Sequence, residues 1–153
     1  KVPRRASGGV VVQGIDDVLV RFAKCCTPLP GDPIVGFVTR GRGITVHRID
    51  CPKARELDPA RRVDVSWDTS VKRPRSISIQ VVTDEREGML AELSAAFSKN
   101  NINISQANCK VMDNSYAVNT FQFQIEDLSK LNALIKGISK IDGVISVERV
   151  QAW

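Results

Sequence analysis

Residues 76–150 carry a regular alternation of apolar patterns. "SISIQVV" (76–82) alternates apolar and polar side chains, which predicts a strand. "GMLAELSAAFSKNN" (88–101) spaces Met89, Leu90, Leu93, Ala96 and Phe97 along one helical face and stops at Asn100-Asn101. "INISQANCKV" (102–111) alternates again, with "DNS" (113–115) as the expected turn. In "AVNTFQFQI" (117–125), Val118, Thr120, Gln122 and Gln124 alternate with Asn119, Phe121, Phe123 and Ile125. Helical spacing returns through Leu128, Leu131, Leu134, Ile135 and Ile138, and Gly143 precedes a last strand, "VISVERV".

The predicted order is β-α-β-β-α-β, a ferredoxin-like arrangement with both helices on one face of a four-stranded antiparallel sheet. Residues 1–75 are less regular. "GVVVQGIDDVLVRFAKCC" predicts short strands meeting a helical turn near Phe22–Cys26, and "IVGFVT" and "ITVHRI" predict a hairpin across "RGRG". "DCPKAREL" opens like a helix, with Asp50 as N-cap and Pro52 in the first turn, and "RRVDVSW" predicts one further strand. The polar "WDTSVKRPRS" separates the halves. The expected organisation is therefore α+β: a linker at 1–14, a small β-rich cysteine module at 15–68, a linker at 69–75 and the βαββαβ domain at 76–153.

Composition adds that the chain is of the globular type, 42% apolar and 25% charged over 153 residues. No apolar run approaches the ~20 residues of a bilayer span, and no basic-then-apolar signal segment opens the sequence. A start without methionine is what a piece of a longer protein shows. Four cysteines without a secretory signal predict a reducing cytoplasm and metal or redox chemistry rather than a disulfide scaffold. Charge is uneven. Residues 1–75 hold 15 Lys/Arg against 8 Asp/Glu, and residues 76–153 hold 7 against 9. A basic half is suited to phosphate, including nucleic acid, although a solvated basic surface accounts for the charge equally well.

Candidate chemistry concentrates in "AKCCTPLPGDPIVGFVTRGRGITVHRIDC". Cys25, Cys26, His47 and Cys51 form a Cys₃His set suited to tetrahedral zinc. The adjacent pair is unusual for zinc, because neighbouring side chains tend to diverge; a sharp turn before Pro28 is needed. Buried small hydrophobes beside a hydrogen-bonded histidine, a cysteine nucleophile with its base, and thiol redox chemistry at Cys25-Cys26 are the alternatives. Cys109, alone on a strand, is expected in the core. Arg40, Arg42 and Arg48 flank the glycine-rich turn and are candidates for phosphate contact, with Arg61, Arg62, Lys72, Arg73 and Arg75 extending the patch. In the βαββαβ half, Gly88 opens a helix whose free N–H groups can receive a carboxylate, and Asn103 follows on the next strand.

The run "GIDDVLVRFAKCCTPLPGDPIVGFVTRGRGITVHRIDC" followed by a βαββαβ unit resembles the C-terminal end of long RelA/SpoT-family proteins, which make and degrade (p)ppGpp in the stringent response. The resemblance covers nearly the whole chain. It implies a conserved-cysteine, zinc-finger-like module followed by an ACT domain, with regulation rather than catalysis in this region and with hydrolase and synthetase domains on its N-terminal side. It further implies ribosome, ribosomal RNA and tRNA as partners, zinc-type ligands at Cys25, Cys26, His47 and Cys51, branched-chain amino-acid sensing, and a homodimer through the ACT domain. The ACT ligand loop maps onto Glu85, Arg86, Gly88, Met89 and Leu90, with Asn103. Glutamate at 85 departs from the usual Asp or Asn, and Asp84, Glu85 and Glu87 together disfavour an anion. The sheet lacks the paired aromatics on which an RNA-recognition sheet stacks bases, and Phe121 and Phe123 are expected to face the helices. An amino-acid-sensing module of a metabolic enzyme and a zinc-stabilised interaction module are the competing readings.

Overall fold

The computed structural model describes residues 9–13, 18–41, 43–69, 73–113 and 115–151. It divides into two compact units, Lys1–Arg73 and Pro74–Trp153. Residues 1–8 of the expected first linker, Arg42 and Lys72 of the basic patch, and Asn114 of the "DNS" turn lie outside the described residues.

In the first unit, β1 (Val10–Val12), β2 (Val20–Phe22), β3 (Ile34–Thr39) and β4 (Gly43–Arg48) precede α1 (Pro52–Arg55), a single 3-10 turn at Pro59–Arg61, β5 (Arg62–Val63) and β6 (Val65–Trp67). The sheet runs β2-β4-β3-β5; β3 and β4 form the expected hairpin, and β2 lies parallel to β4. Alternation sorts its two faces. Ile44 and Val46 point to a core shared with Val10, Val12 and Val20, while Val35, Phe37 and His47 point to a second cluster with Ala23, Cys26, Cys51 and Ala54. Gly36 lies opposite Val46 on the first face, where an added Cβ would come within 2.9 Å of Ile44, Val63 and Val65. The absence of a side chain lets these three residues close over the strand.

Three local features differ from expectation. Strand β1 falls inside the 1–14 segment read as linker, but it pairs with β6 and its Val10 and Val12 are fully buried, so it belongs to the module's core. "RRVDVSW" is not one strand: it breaks at Asp64, so that β5 joins β3 while β6 joins β1. Asp50 does not cap α1. Cys51 occupies the N-cap position in an extended conformation, and Asp50 instead lies 3.8 Å from the Arg48 guanidinium.

The second unit has the expected order: β7 (Arg75–Asp84), α2 (Met89–Lys99), β8 (Ile104–Met112), β9 (Tyr116–Ile125), α3 (Leu128–Ser139) and β10 (Val144–Val150). Its antiparallel sheet runs β10-β7-β9-β8. Ile77, Ile79, Val81, Phe121, Phe123 and Ile125 are buried along with Leu93, Phe97, Leu131, Leu134 and Ile138 of the helices. Phe97 packs between Phe121 and Phe123, with ring centroids at 5.0 and 5.2 Å. The two strand phenylalanines therefore do face the helices. Asp127 caps α3, its Oδ1 accepting from the Lys130 N–H at 2.9 Å.

Two expected core residues are outside the core. Leu90 is 50% exposed, because Met89, Leu93 and Phe97 already cover the inward arc of α2. Cys109 is exposed on β8, one of the two edge strands, whose residues Ser105–Val111 are exposed on both faces. Among the described residues no helix is long and apolar enough to cross a membrane.

Candidate metal centre

The strand order brings three separate pieces of the first unit to one point. Residues 23–27 make a single helical turn closed by the Thr27 N–H donating to the Ala23 carbonyl at 3.0 Å. Side chains on such a turn are spaced about 100° apart, so two consecutive cysteines can both lean toward one centre. The turn ends at Thr27, with φ +41°, just before Pro28. β4 supplies His47 from the face opposite Val46. Cys51 follows across a tight connection in which its own N–H donates to the Arg48 carbonyl.

The Sγ of Cys25 lies 3.5 Å from His47 Nδ1 and 3.6 Å from Cys51 Sγ, and Cys26 Sγ lies 3.8 Å from the same nitrogen. All four donor atoms fall within 4.8 Å of one another. A tetrahedral ion with sulfur at ~2.3 Å and nitrogen at ~2.0–2.1 Å has edges of about 3.8 Å between sulfurs and about 3.5 Å from sulfur to nitrogen. These three distances lie within about 0.3 Å of those edges, and a closure of about 1 Å or less over the rest of the set lets the four donors take a four-coordinate ion. A nucleophile and base would leave the other two sulfurs without a role.

The protonation pattern completes the description. Burial pushes Cys26 up to about 12, and burial with the neighbouring Cys51 also raises Cys25. For Cys51 burial opposes ionisation, but the N–H groups of Ala54 and Lys53 and the Cys25 and Cys26 thiols outweigh it and hold its pKa below the usual thiol value. Burial lowers His47, which favours the neutral imidazole that a metal takes. Cys25 and Cys26 thus lack the low pKa expected of a reactive vicinal redox pair.

The basic candidates are not gathered in one place. Arg40 is exposed at the hairpin tip, whereas Arg48 lies at the far end of β4 with its side chain only 24% exposed. The sequence reading missed a groove of about 770 Å³ along β2, lined by Leu19, Arg21, Lys24, Thr45 and Arg73, with no acidic residue among the described residues. Its signal was available in part: Arg21 and Lys24 flank the buried strand-to-turn segment, but only the β2–β4 pairing shows that they share a surface.

In the second unit the proposed ligand residues divide. Arg86 bonds Asp84 Oδ2 at 3.2 Å and the Asp142 carbonyl at 3.1 Å, and so ties the end of β7 to the α3–β10 loop. Glu85 donates its N–H to the Ser115 carbonyl, Gly88 holds φ +82° ahead of α2, and Met89 is buried. Asn103 is elsewhere. It precedes Ile104, which pairs with Phe123, whereas the 85–88 loop follows Asp84, which pairs with Tyr116. Seven positions of β9 separate them, about 23 Å at strand rise. Asn103 lines its own cavity of about 450 Å³ with Asn100, Asn101, Ser105, Gln124 and Lys130.

Comparison with known proteins accounts for both units. A RelA/SpoT RIS domain model matches residues 10–68, and an ACT domain model matches residues 72–149. The chain is 52% identical to a GTP pyrophosphokinase of Myxococcus xanthus over 149 residues, covering 97% of this chain and 20% of that protein. It is 37% identical to the bifunctional (p)ppGpp synthase/hydrolase RelA of Mycobacterium tuberculosis, covering 97% of this chain and 21% of that one. It thus spans about a fifth of the length of these relatives. Among solved structures, the ACT domain from GTP pyrophosphokinase of Chlorobium tepidum aligns with 51% of this chain and 100% of its own, at 22% identity and a TM-score of 0.46. The chain belongs to the ACT-domain family, and with its ACT domain preceded by a RelA/SpoT RIS domain it is of the C-terminal RelA/SpoT type.

Proposed function

We propose that this chain is the regulatory part of a longer (p)ppGpp synthetase or synthetase/hydrolase, and that it relays amino-acid starvation to catalytic domains elsewhere in the protein. The observation that carries the reading is the Cys₃His cluster, built into the RIS-matching unit ahead of an ACT domain. Zinc is the ion proposed for it, since three thiolates and an imidazole select a soft, tetrahedral metal. When bound, zinc would cross-link the 23–27 turn, β4 and the start of α1. That would supplement a core that is small for a unit of this size.

The partner proposed for the first unit is RNA of the ribosome with bound tRNA. The basic groove beside β2, with Arg21, Lys24 and Arg73, supports this, as does Arg40 at the hairpin tip. The second unit is proposed to pair with a second copy along the exposed edge strand β8, and to take a branched-chain amino acid. The cavity at Asn103 supports a small ligand; the engagement of Arg86 with Asp84 and Asp142 argues for that end over the 85–88 loop.

Pelleting of the purified chain with ribosomes at rising salt, alongside metal analysis and calorimetry with valine, isoleucine and leucine, tests the reading. Binding that weakens steeply with salt, in a chain carrying one zinc, is the expected result. Tight amino-acid binding with no affinity for ribosomes would favour an amino-acid-sensing module of a metabolic enzyme. A well-folded, metal-free chain would remove the zinc.

A further inference from the structure

The four donors of the cysteine cluster are not equivalent. Cys26, His47 and Cys51 are buried, whereas Cys25 is only half-buried. Cys26 Sγ additionally accepts a hydrogen bond from the Arg48 N–H at 3.3 Å, which fixes it against β4. Cys25 Sγ sits 3.6 Å from Cys51 Sγ, although the residues are 26 apart in the chain. A disulfide needs about 2.05 Å between sulfurs, so a shift of about 1.5 Å joins them. Joining Cys25 to Cys26 would instead close a ring between adjacent residues and distort the turn that Thr27 and Ala23 hold.

We propose that Cys25 and Cys51 form a peroxide-oxidisable disulfide pair. The Cys51 thiolate attacks one oxygen of hydrogen peroxide, the O–O bond breaks, and hydroxide leaves Cys51 as a sulfenic acid. Cys25 sulfur then attacks Cys51 sulfur, the S–O bond breaks and a second hydroxide departs. Two protons, from the thiols of the metal-free chain or from solvent where zinc holds thiolates, convert both hydroxides to water, and the two sulfurs have supplied two electrons to the peroxide. The bond removes two of four metal donors and leaves Cys26 and His47, too few for a structural site. Metal release rests on the zinc reading above; bond formation rests on the sulfur geometry alone.

The test uses the whole chain with Cys109→Ser, which removes the one cysteine outside the cluster, loaded with zinc and titrated with hydrogen peroxide. Alkylation, tandem mass spectrometry and a chromogenic chelator give the readouts. The expected result is a chain 2 Da lighter, a Cys25–Cys51 cross-link, about one zinc released per bond, and recovery of both with dithiothreitol and fresh zinc. A Cys25–Cys26 link, or sulfinic acid at Cys51 without any link, overturns the pair. Zinc that stays bound while no link forms overturns the pair and leaves the metal reading standing. A chain that takes up no zinc but forms the link keeps the pair and removes the metal reading. Zinc retained beside a complete link overturns release.

Discussion

The Arg48 N–H donates to Cys26 Sγ at 3.3 Å, so the residue that follows His47 on β4 ties the cysteine turn to the strand carrying the imidazole. This bond makes the centre one unit rather than three loops that happen to approach, and it also stabilises the Cys26 thiolate that a metal requires.

Because the four donors come from three separate segments, removing one should disorder the local unit. Cys26→Ala or His47→Ala should lower zinc affinity by at least about 100-fold, more than loss of a supporting contact costs. Metal stoichiometry reads the affinity. Hydrogen exchange should rise in peptides from residues 20–67 and stay unchanged in those from residues 75–150; a uniform rise would contradict a centre confined to the first unit.

Metal affinity should fall as pH falls. Without metal, Cys25 and Cys26 hold their protons well above neutrality, with Cys26 at about 12, while His47 is neutral above its lowered pKa. Binding therefore releases about two to three protons, and competition titrations between pH 7 and 8 should show log K rising by about that slope. Folding of the metal-free chain follows the opposite sign for these two groups. Their folded pKa values are raised, so their contribution is intact below the ordinary thiol value and lost as pH climbs from about 9 toward 12. Urea midpoints measured across that range check it.

Binding through the β2 groove makes a distinct demand on mutants. Replacing Arg21 and Lys24 together by glutamate should weaken ribosome binding and flatten its salt dependence by about two phosphate contacts. Arg48→Ala, at the far end of β4 beside Asp50, should change that slope little.

Phe97→Ala should destabilise the second unit by about 3–5 kcal/mol, since the ring is buried between Phe121 and Phe123. Gly36→Ala should destabilise the first by about 1–3 kcal/mol, because its Cβ overlaps three core side chains. Denaturant unfolding followed by probes in each unit separates the two effects.

A strand next to Asn103 and a helix opening at Gly88 could each be read from local pattern, but not their separation. They look like neighbours in sequence, yet the β8–β9 and β7–β9 registers put them at opposite ends of the sheet. Leu90 satisfied helical spacing and Cys109 satisfied strand alternation. Both are exposed because periodicity states which residues share a face, not how far the covering layer extends. The break at Asp64 was invisible for a similar reason: each half of "RRVDVSW" is strand-like, and only the presence of two partner strands, β1 and β3, pulls them apart.

The sequence by itself determined the order of elements in the βαββαβ half and the identity of the four donors. Both are local properties, a burial period in one case and a residue chemistry in the other. Tertiary structure alone decided that adjacent Cys25 and Cys26 can serve one centre with His47 and Cys51. That outcome depends on the turn closed from Thr27 to Ala23 and on the face of β4 that His47 occupies, which are set by packing between segments distant in the chain.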